Sequence, residues 1–118
     1  MPEYVMFIVG DMEKQAKFSQ QEADASTVKV IAWFEEHTRA GHFVEGAGRR
    51  LEGPETATIV NAGIGNTVSV IDGPYAETKE AVGGYAVISA PDLATAIELV
   101  ETWPGLPAKI ELRPVFQM

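Results

Sequence analysis

The densest group of reactive side chains lies in residues 72–80, which read Asp-Gly-Pro-Tyr-Ala-Glu-Thr-Lys-Glu. Three carboxylates, one ammonium group and one phenol follow the strong turn signal Asp-Gly-Pro. An Asp held in such a turn can act as a general base, while Lys79 or a tyrosine hydroxyl stabilises a developing anion. The segment also has a purely structural interpretation, in which Asp72 caps its own turn, Lys79 pairs with a neighbouring carboxylate and Tyr75 packs.

Histidine supplies the remaining acid–base chemistry, because imidazole changes charge near neutral pH. His42 starts a predicted strand, and we expect it to face a cleft near Asp72. His37 lies near the end of a predicted helix, where the helix dipole favours a cation and offers a structural explanation. Neither histidine has a second ligand three or four residues away on one helix face, so we expect no metal site.

The charge and composition exclude several classes of protein. The chain has 9 Lys+Arg against 17 Asp+Glu, a net charge of −8, and Lys79 is the only cation in residues 51–108. Nucleic acid and anionic membrane surfaces are therefore poor partners. The chain has no cysteine, which excludes disulfides and thiolate metal sites. The N-terminus does not have the pattern of a signal peptide, and we expect a cytoplasmic protein.

Two short segments rich in arginine or glycine permit more than one interpretation. Arg49 and Arg50 either clamp an acidic small molecule or belong to a solvated turn. The glycines in residues 46–48 and 63–65 do not form nucleotide loops, since neither group precedes a helix in a βαβ unit. We expect no cofactor.

The periodicity of apolar residues predicts the elements that must position these side chains. The predicted order is strand, helix, strand, hairpin, strand, helix and strand, over residues 4–9, 27–40, 42–45, 57–71, 81–89, 91–103 and 110–116. The first helix is expected to begin at a cap near Asp24 or Ser26 and to end at Gly41. Ser89 or Ala90 is expected to cap the second helix.

With the hairpin treated as an insertion, this order predicts a single ferredoxin-like (βαββαβ) α+β domain over residues 1–118. Both helices then cover one face of an antiparallel sheet, yet residues 4–9 are apolar on both faces. A second copy of the same sheet is the economical cover for the open face. We therefore expect a homodimer through the sheet faces, a dimeric α/β-barrel-like assembly, with a cleft where Glu111 and Arg113 interrupt the surface.

Residues 72–80, followed by Gly83-Gly84-Tyr85, resemble the signature of YCII-related proteins of the DGPF type, which is DGPFAETKE followed by two glycines and an aromatic residue. Tyr75 replaces the phenylalanine, and further similarity lies in residues 4–11, 41–46, 91–98 and 110–115. The resemblance implies a ferredoxin-like fold that dimerises through its sheets. In some relatives it also implies enzymatic activity on ring compounds with a first-helix His and an Asp. Residues 28–33 of this chain read Val-Lys-Val-Ile-Ala-Trp, so that pair is not carried over.

Two hypotheses about function follow from the sequence. The first is a homodimeric small-molecule-binding protein with cofactor-free acid–base activity of an isomerase or lyase type. Its predicted catalytic residues are Asp72 and His42, and its predicted ligand-binding residues are Tyr75, Glu77, Lys79, Glu80 and Arg113. The second is a non-catalytic regulatory or interaction protein, since the resemblance to DGPF-type proteins also implies a link to an extracytoplasmic-function sigma factor circuit.

Overall fold

The computed structural model describes residues 1–64, 67–72 and 80–117. The predicted α+β class is confirmed. In these ranges the chain forms, in order, β1 (Glu3–Asp11), α1 (Met12–Gln15), α2 (Gln20–Arg39), β2 (Arg49–Arg50), β3 (Thr58–Ile64), β4 (Thr67–Asp72), β5 (Glu80–Ser89), α3 (Leu93–Val100) and β6 (Lys109–Pro114). None of these helices is long and apolar enough to span a membrane.

Four strands form one open antiparallel sheet in the order β2-β5-β1-β6. β3 and β4 pair only with each other in a second, two-stranded sheet, which agrees with the prediction that the hairpin is an insertion. The strand predicted at residues 42–45 is reduced to a single bridge between Phe43 and Ile88. The segment that pairs with this edge of β5 as a strand is β2, farther along the chain.

The core lies on one face of the four-stranded sheet. Met6 of β1 and Ile88 of β5 are almost completely buried, and side chains alternate between the two faces of a strand. Trp33 of α2 and Ala96 of α3 belong to the same buried cluster, so both helices cover this face. We call it the helix face and its opposite the open face. The molecule is only 22 Å thick, which accommodates one helix layer on one sheet layer.

Most of the aromatic residues predicted to be core or interface lie on the helix face. Tyr4 and Trp33 are buried, and Phe34 and Trp103 pack against them. The indole nitrogen Nε1 of Trp33 donates a hydrogen bond to Thr102 Oγ1 at 2.8 Å, and Nε1 of Trp103 donates to the carbonyl of Leu106 at 2.9 Å. The exception is Phe116, which is 84% exposed.

α2 begins well before the predicted residue 27, and its cap is Ser19 rather than Asp24 or Ser26. Ser19 Oγ accepts a hydrogen bond from the backbone N–H of Glu22 at 3.0 Å, and Glu22 Oε1 accepts one from the backbone N–H of Ser19 at 3.1 Å. This reciprocal capping box satisfies two of the free donors at the start of a helix. Residues 20–26 are mostly polar and exposed, so their composition did not indicate the first two turns or so of the helix.

The end of α2 agrees with the prediction. Gly41 has a φ of +83°, in the left-handed region that glycine adopts without strain. Its N–H donates to the carbonyl of Thr38, and the N–H of His42 donates to the carbonyl of His37. These two bonds form a Schellman motif, which turns the chain back over the last turn of the helix.

The predicted caps of α3, Ser89 or Ala90, are wrong, because Asp92 is the N-cap. Asp92 has extended backbone angles, and its Oδ1 accepts hydrogen bonds from Thr95 N at 2.8 Å and from Thr95 Oγ1 at 2.7 Å. Pro91 therefore precedes the helix instead of occupying its first turn. The hydrogen bonds from the Thr95 hydroxyl and backbone lower the pKa of the Asp92 carboxyl below its ordinary value.

A carboxyl with a lowered pKa in the folded state stabilises the fold above its unfolded pKa, about 3.9 for Asp, and loses that contribution as the pH falls through the folded value. We therefore expect the free energy of unfolding to decrease with acidification in this range, and to decrease less in Asp92→Asn. Denaturant unfolding measured from pH 7 to pH 3 checks this. Asp24→Asn, an exposed change on α2, is the control, and an identical pH dependence in all three proteins would contradict the role of Asp92.

Candidate functional site

Residues 72–80 join the hairpin to the main sheet. Asp72 is the last residue of β4 and pairs with Thr58, and Glu80 is the first residue of β5 and pairs with Asp11. The predicted ligand-binding residues Tyr75, Glu77 and Lys79 lie outside the described residues, as do the side-chain positions of Asp72 and Glu80.

His42 lies at the other end of β5. Its carbonyl accepts a hydrogen bond from the N–H of Ser89 at 2.9 Å. Nine residues separate Glu80 from Ser89, and at about 3.3 Å per residue they span roughly 30 Å of strand. The structure therefore places the predicted residues His42 and Glu80 at opposite ends of one strand.

Arg113 occupies a third position, on the open face at the β6 edge. It pairs in register with Val5, and its Cζ lies 5.6 Å from the centre of the Phe7 ring. Its guanidinium also forms an ion pair with Glu111 on the same strand. Both charged side chains are substantially exposed, so solvent screens this pair. Arg113 stabilises its own face of the sheet and does not approach His42 within the monomer.

The Schellman turn brings the two histidines together. Nδ1 of His37 lies 3.0 Å from Nδ1 of His42, and the rings are 5.2 Å apart between centroids with an angle of 26° between their planes. The centroid separation is close to the sum of the nitrogen separation and the two ring radii, so the nitrogens point at each other. This is the geometry of an N–H···N hydrogen bond, in which one ring donates and the other accepts.

The same geometry does not suit a metal ion. A metal bonded to both nitrogens at about 2.0–2.1 Å would have to lie off the line that joins them, where neither lone pair is directed. Among the described residues, no group of three or more His, Asp or Glu side chains is arranged to hold a metal. The two nitrogens therefore form a hydrogen bond, and the Trp33 and His37 rings lie in a T-shaped arrangement with their centroids 5.4 Å apart.

A cleft lies on the helix face. It has a volume of about 850 Å³ and lies between α2, the start of β5 and residues 46–55. Ile8, Gly84 and Ala86 form its floor, and Phe34, Phe43 and Trp103 line it. A volume of this size is typical of sites for small organic molecules. A second depression of about 530 Å³ lies around Tyr4 and Pro114.

Sequence reasoning did not identify this cleft. It interpreted the aromatic residues as core or interface, which is correct for Trp33 but incomplete for Phe34 and Trp103, which also form cleft walls. The sequence feature that could have predicted the cleft is the pair Gly83-Gly84. A glycine in a buried strand leaves a bare patch on the sheet, and Gly84 is part of the cleft floor.

The histidine pair makes a testable prediction about tautomers. In the neutral pair, one imidazole must carry its proton on Nδ1 to donate, and the other must leave Nδ1 free and carry its proton on Nε2. Long-range ¹H–¹⁵N NMR spectra above neutral pH should show one ring of each kind. In His37→Phe the donor or acceptor at His42 is lost, and the His42 signals should shift. Two Nε2-protonated rings in the unmodified protein would contradict the hydrogen bond.

Comparison with known proteins identifies a family whose sequence model matches this chain. A sequence model of the family described as YCII-related domain matches residues 3–118. A search of curated proteins found no match.

Proposed function

The chain belongs to the YCII-related domain family, and from this premise we propose that it is a homodimeric small-molecule-binding protein. Its subunit is ferredoxin-like, and two sheets pack face to face in a dimeric α/β-barrel-like assembly. The strand order β2-β5-β1-β6, with both helices on one face, supports the ferredoxin-like arrangement.

The cleft on the helix face is the observation that carries the binding function. Its lining is mainly apolar and includes three aromatic residues, Phe34, Phe43 and Trp103, and a smaller number of polar and charged residues, which is the usual composition of ligand sites. The cleft has a volume of about 850 Å³ between α2 and the sheet, which is large enough for a small organic molecule. A molecule bound there would bury its apolar surface against Phe34 and Trp103.

The 72–80 segment is the proposed polar end of the cleft. Val82 and Gly83 line the cleft, and only two residues, about 7 Å of strand, separate Glu80 from Val82. This continuity supports Asp72 as the acid–base residue, with Tyr75, Glu77, Lys79 and Glu80 as ligand-binding residues. His42 adjoins the cleft at its other end through its neighbour Phe43.

The open face supports the homodimer. Val5 and Phe7 of β1 and Val87 of β5 lie on this face, and none of them belongs to the buried cluster. A contiguous apolar surface of this kind is typically an interaction site. Two copies related by a two-fold axis cover each other with the same residues. Arg113 and Glu111 then lie at the rim of the interface, where Arg113 can contribute to a shared site.

The binding function predicts that filling the cleft abolishes ligand binding. A thermal-shift screen of aromatic and dicarboxylic metabolites should identify compounds that raise the melting temperature. Ile31 lines the cleft and is 54% exposed, so Ile31→Trp should fill the cleft without loss of the fold and remove the shift. Val28 on the same helix is 68% exposed and does not line the cleft, so Val28→Trp should preserve the shift.

A shift that survives in Ile31→Trp would place the ligand elsewhere. A shift that survives there but is lost in Asp72→Asn would assign the ligand to the 72–80 segment alone. If no compound stabilises the dimer, the non-catalytic regulatory alternative is favoured.

The homodimer predicts a mass in solution of twice the 12.8 kDa of one chain. Light scattering at micromolar concentration should give this value for the unmodified protein. Phe7→Glu buries a charge in the proposed interface and should shift the mass toward the monomer. Val28→Glu introduces the same charge on α2 and should remain dimeric. A monomeric mass for the unmodified protein would refute the face-to-face arrangement.

A further inference from the structure

The two adjacent arginines of β2 point to opposite faces of the sheet. Arg49 pairs with Tyr85 and Arg50 pairs with Gly84. Directly opposed residues of an antiparallel pair direct their side chains to the same face. Gly84 is opposite Ile8, which packs against the buried core. Arg50 therefore lies on the helix face, and both Arg50 and Arg49 are among the residues that line the cleft.

Among the described residues, only one of the two guanidinium groups forms hydrogen bonds or ion pairs. Arg49 Nη1 donates hydrogen bonds to the carbonyls of Gly46 at 3.2 Å and Gly48 at 2.6 Å, and so holds its own turn. No hydrogen bond or ion pair involves the Arg50 guanidinium in the part of the chain that the structure describes. Arg49 thus has the structural role in a turn that the sequence allowed for the pair. The guanidinium of Arg50 has no such role and is available to a ligand.

The residues around Arg50 favour a ligand of a particular shape. Gly84 has no side chain, so the sheet beside Arg50 presents bare backbone and the side chain of Ile8. Across the cleft, Phe34 and Trp103 lie in a T-shaped arrangement with their centroids 6.5 Å apart. A flat apolar body packs against such aromatic walls, while a planar guanidinium matches a carboxylate in two parallel hydrogen bonds.

The charge of the cleft limits the number of anionic groups. Glu52 and Glu55 also line it, and neither forms an ion pair with Arg50. Arg49 also lines the cleft, but its guanidinium is bonded to the carbonyls of Gly46 and Gly48. Arg50 can therefore pair with one carboxylate, and a second anionic group would be repelled by Glu52 and Glu55.

We propose that Arg50 binds the carboxylate of a flat, apolar monocarboxylic acid whose body lies in the cleft against Phe34 and Trp103. This inference rests on the proposed binding function and deepens it. A site of this kind should bind singly charged aryl acids more tightly than neutral molecules of the same shape and more tightly than dicarboxylic acids.

Isothermal titration calorimetry with three matched probes tests the inference. The probes are 2-naphthoate, the neutral 2-naphthamide and the dianion 2,6-naphthalenedicarboxylate. The unmodified protein should bind 2-naphthoate at least about tenfold more tightly than the amide, the scale of a hydrogen bond to a charged group. It should bind the dianion more weakly than 2-naphthoate.

Two charge-matched variants assign the effect to a residue. Arg50→Gln should remove the preference for the carboxylate and leave binding of the amide unchanged. Arg39→Gln makes the same change of charge at the end of α2, outside the cleft lining, and should keep the preference. Higher salt should weaken binding of 2-naphthoate and not of 2-naphthamide.

Equal binding of the acid and the amide, or equal losses in the two variants, would overturn the role of Arg50 while leaving the cleft as a binding site. Binding of both probes that survives in Ile31→Trp would overturn the cleft itself. Absence of binding by all three probes would overturn the aryl-acid specificity, and the thermal-shift screen then decides separately whether the cleft binds other compounds.

Discussion

The pairing of β1 with both β5 and β6 is the constraint on which the other features of the structure depend. Met6 pairs with Ala86 on one side and with Leu112 on the other. Because side chains alternate along a strand, this register places all three beneath the helices and places Val5 and Phe7 on the open face. A slip of one residue would exchange the two faces. The position of every candidate residue on the sheet, from Arg50 to Arg113, follows from that register.

The close approach of β2 to β5 explains how the sheet can carry a cleft. A Cβ atom at Gly84 would lie 3.1 Å from the Arg49 carbonyl and 3.6 Å from the Cα of Arg50. Glycine therefore permits the short edge strand to pair closely, and it leaves the floor beside Arg50 without a side chain. The same residue that allows the pairing also creates space between the sheet and α2. The close pairing of β2 with β5 and the bare cleft floor beside Arg50 thus both depend on Gly84.

The dispersal of the predicted site residues has a simple geometric cause. β5 is an extended strand of ten residues, so Glu80 and Ser89 at its two ends lie roughly 30 Å apart. The 72–80 segment enters at Glu80, whereas His42 is held beside Ser89 by a backbone hydrogen bond. His37 and His42 illustrate the opposite case. Five residues separate them, yet the reversal at Gly41 brings their Nδ1 atoms within hydrogen-bonding distance.

The sequence by itself determined the α+β class, the inserted hairpin, the family signature and the glycine that ends α2. These features depend on periodicity and on local backbone preferences, which short stretches of sequence encode. It located the starts of both long helices wrongly, because capping by Ser19 and Asp92 depends on which of several polar residues reaches a free N–H. Only the tertiary structure decided which side chains meet. Arg49 and Arg50 are adjacent in sequence and chemically identical, yet only Arg49 bonds to the carbonyls of its own turn among the described residues. This difference depends on the register of β2 with β5, which residues distant along the chain determine.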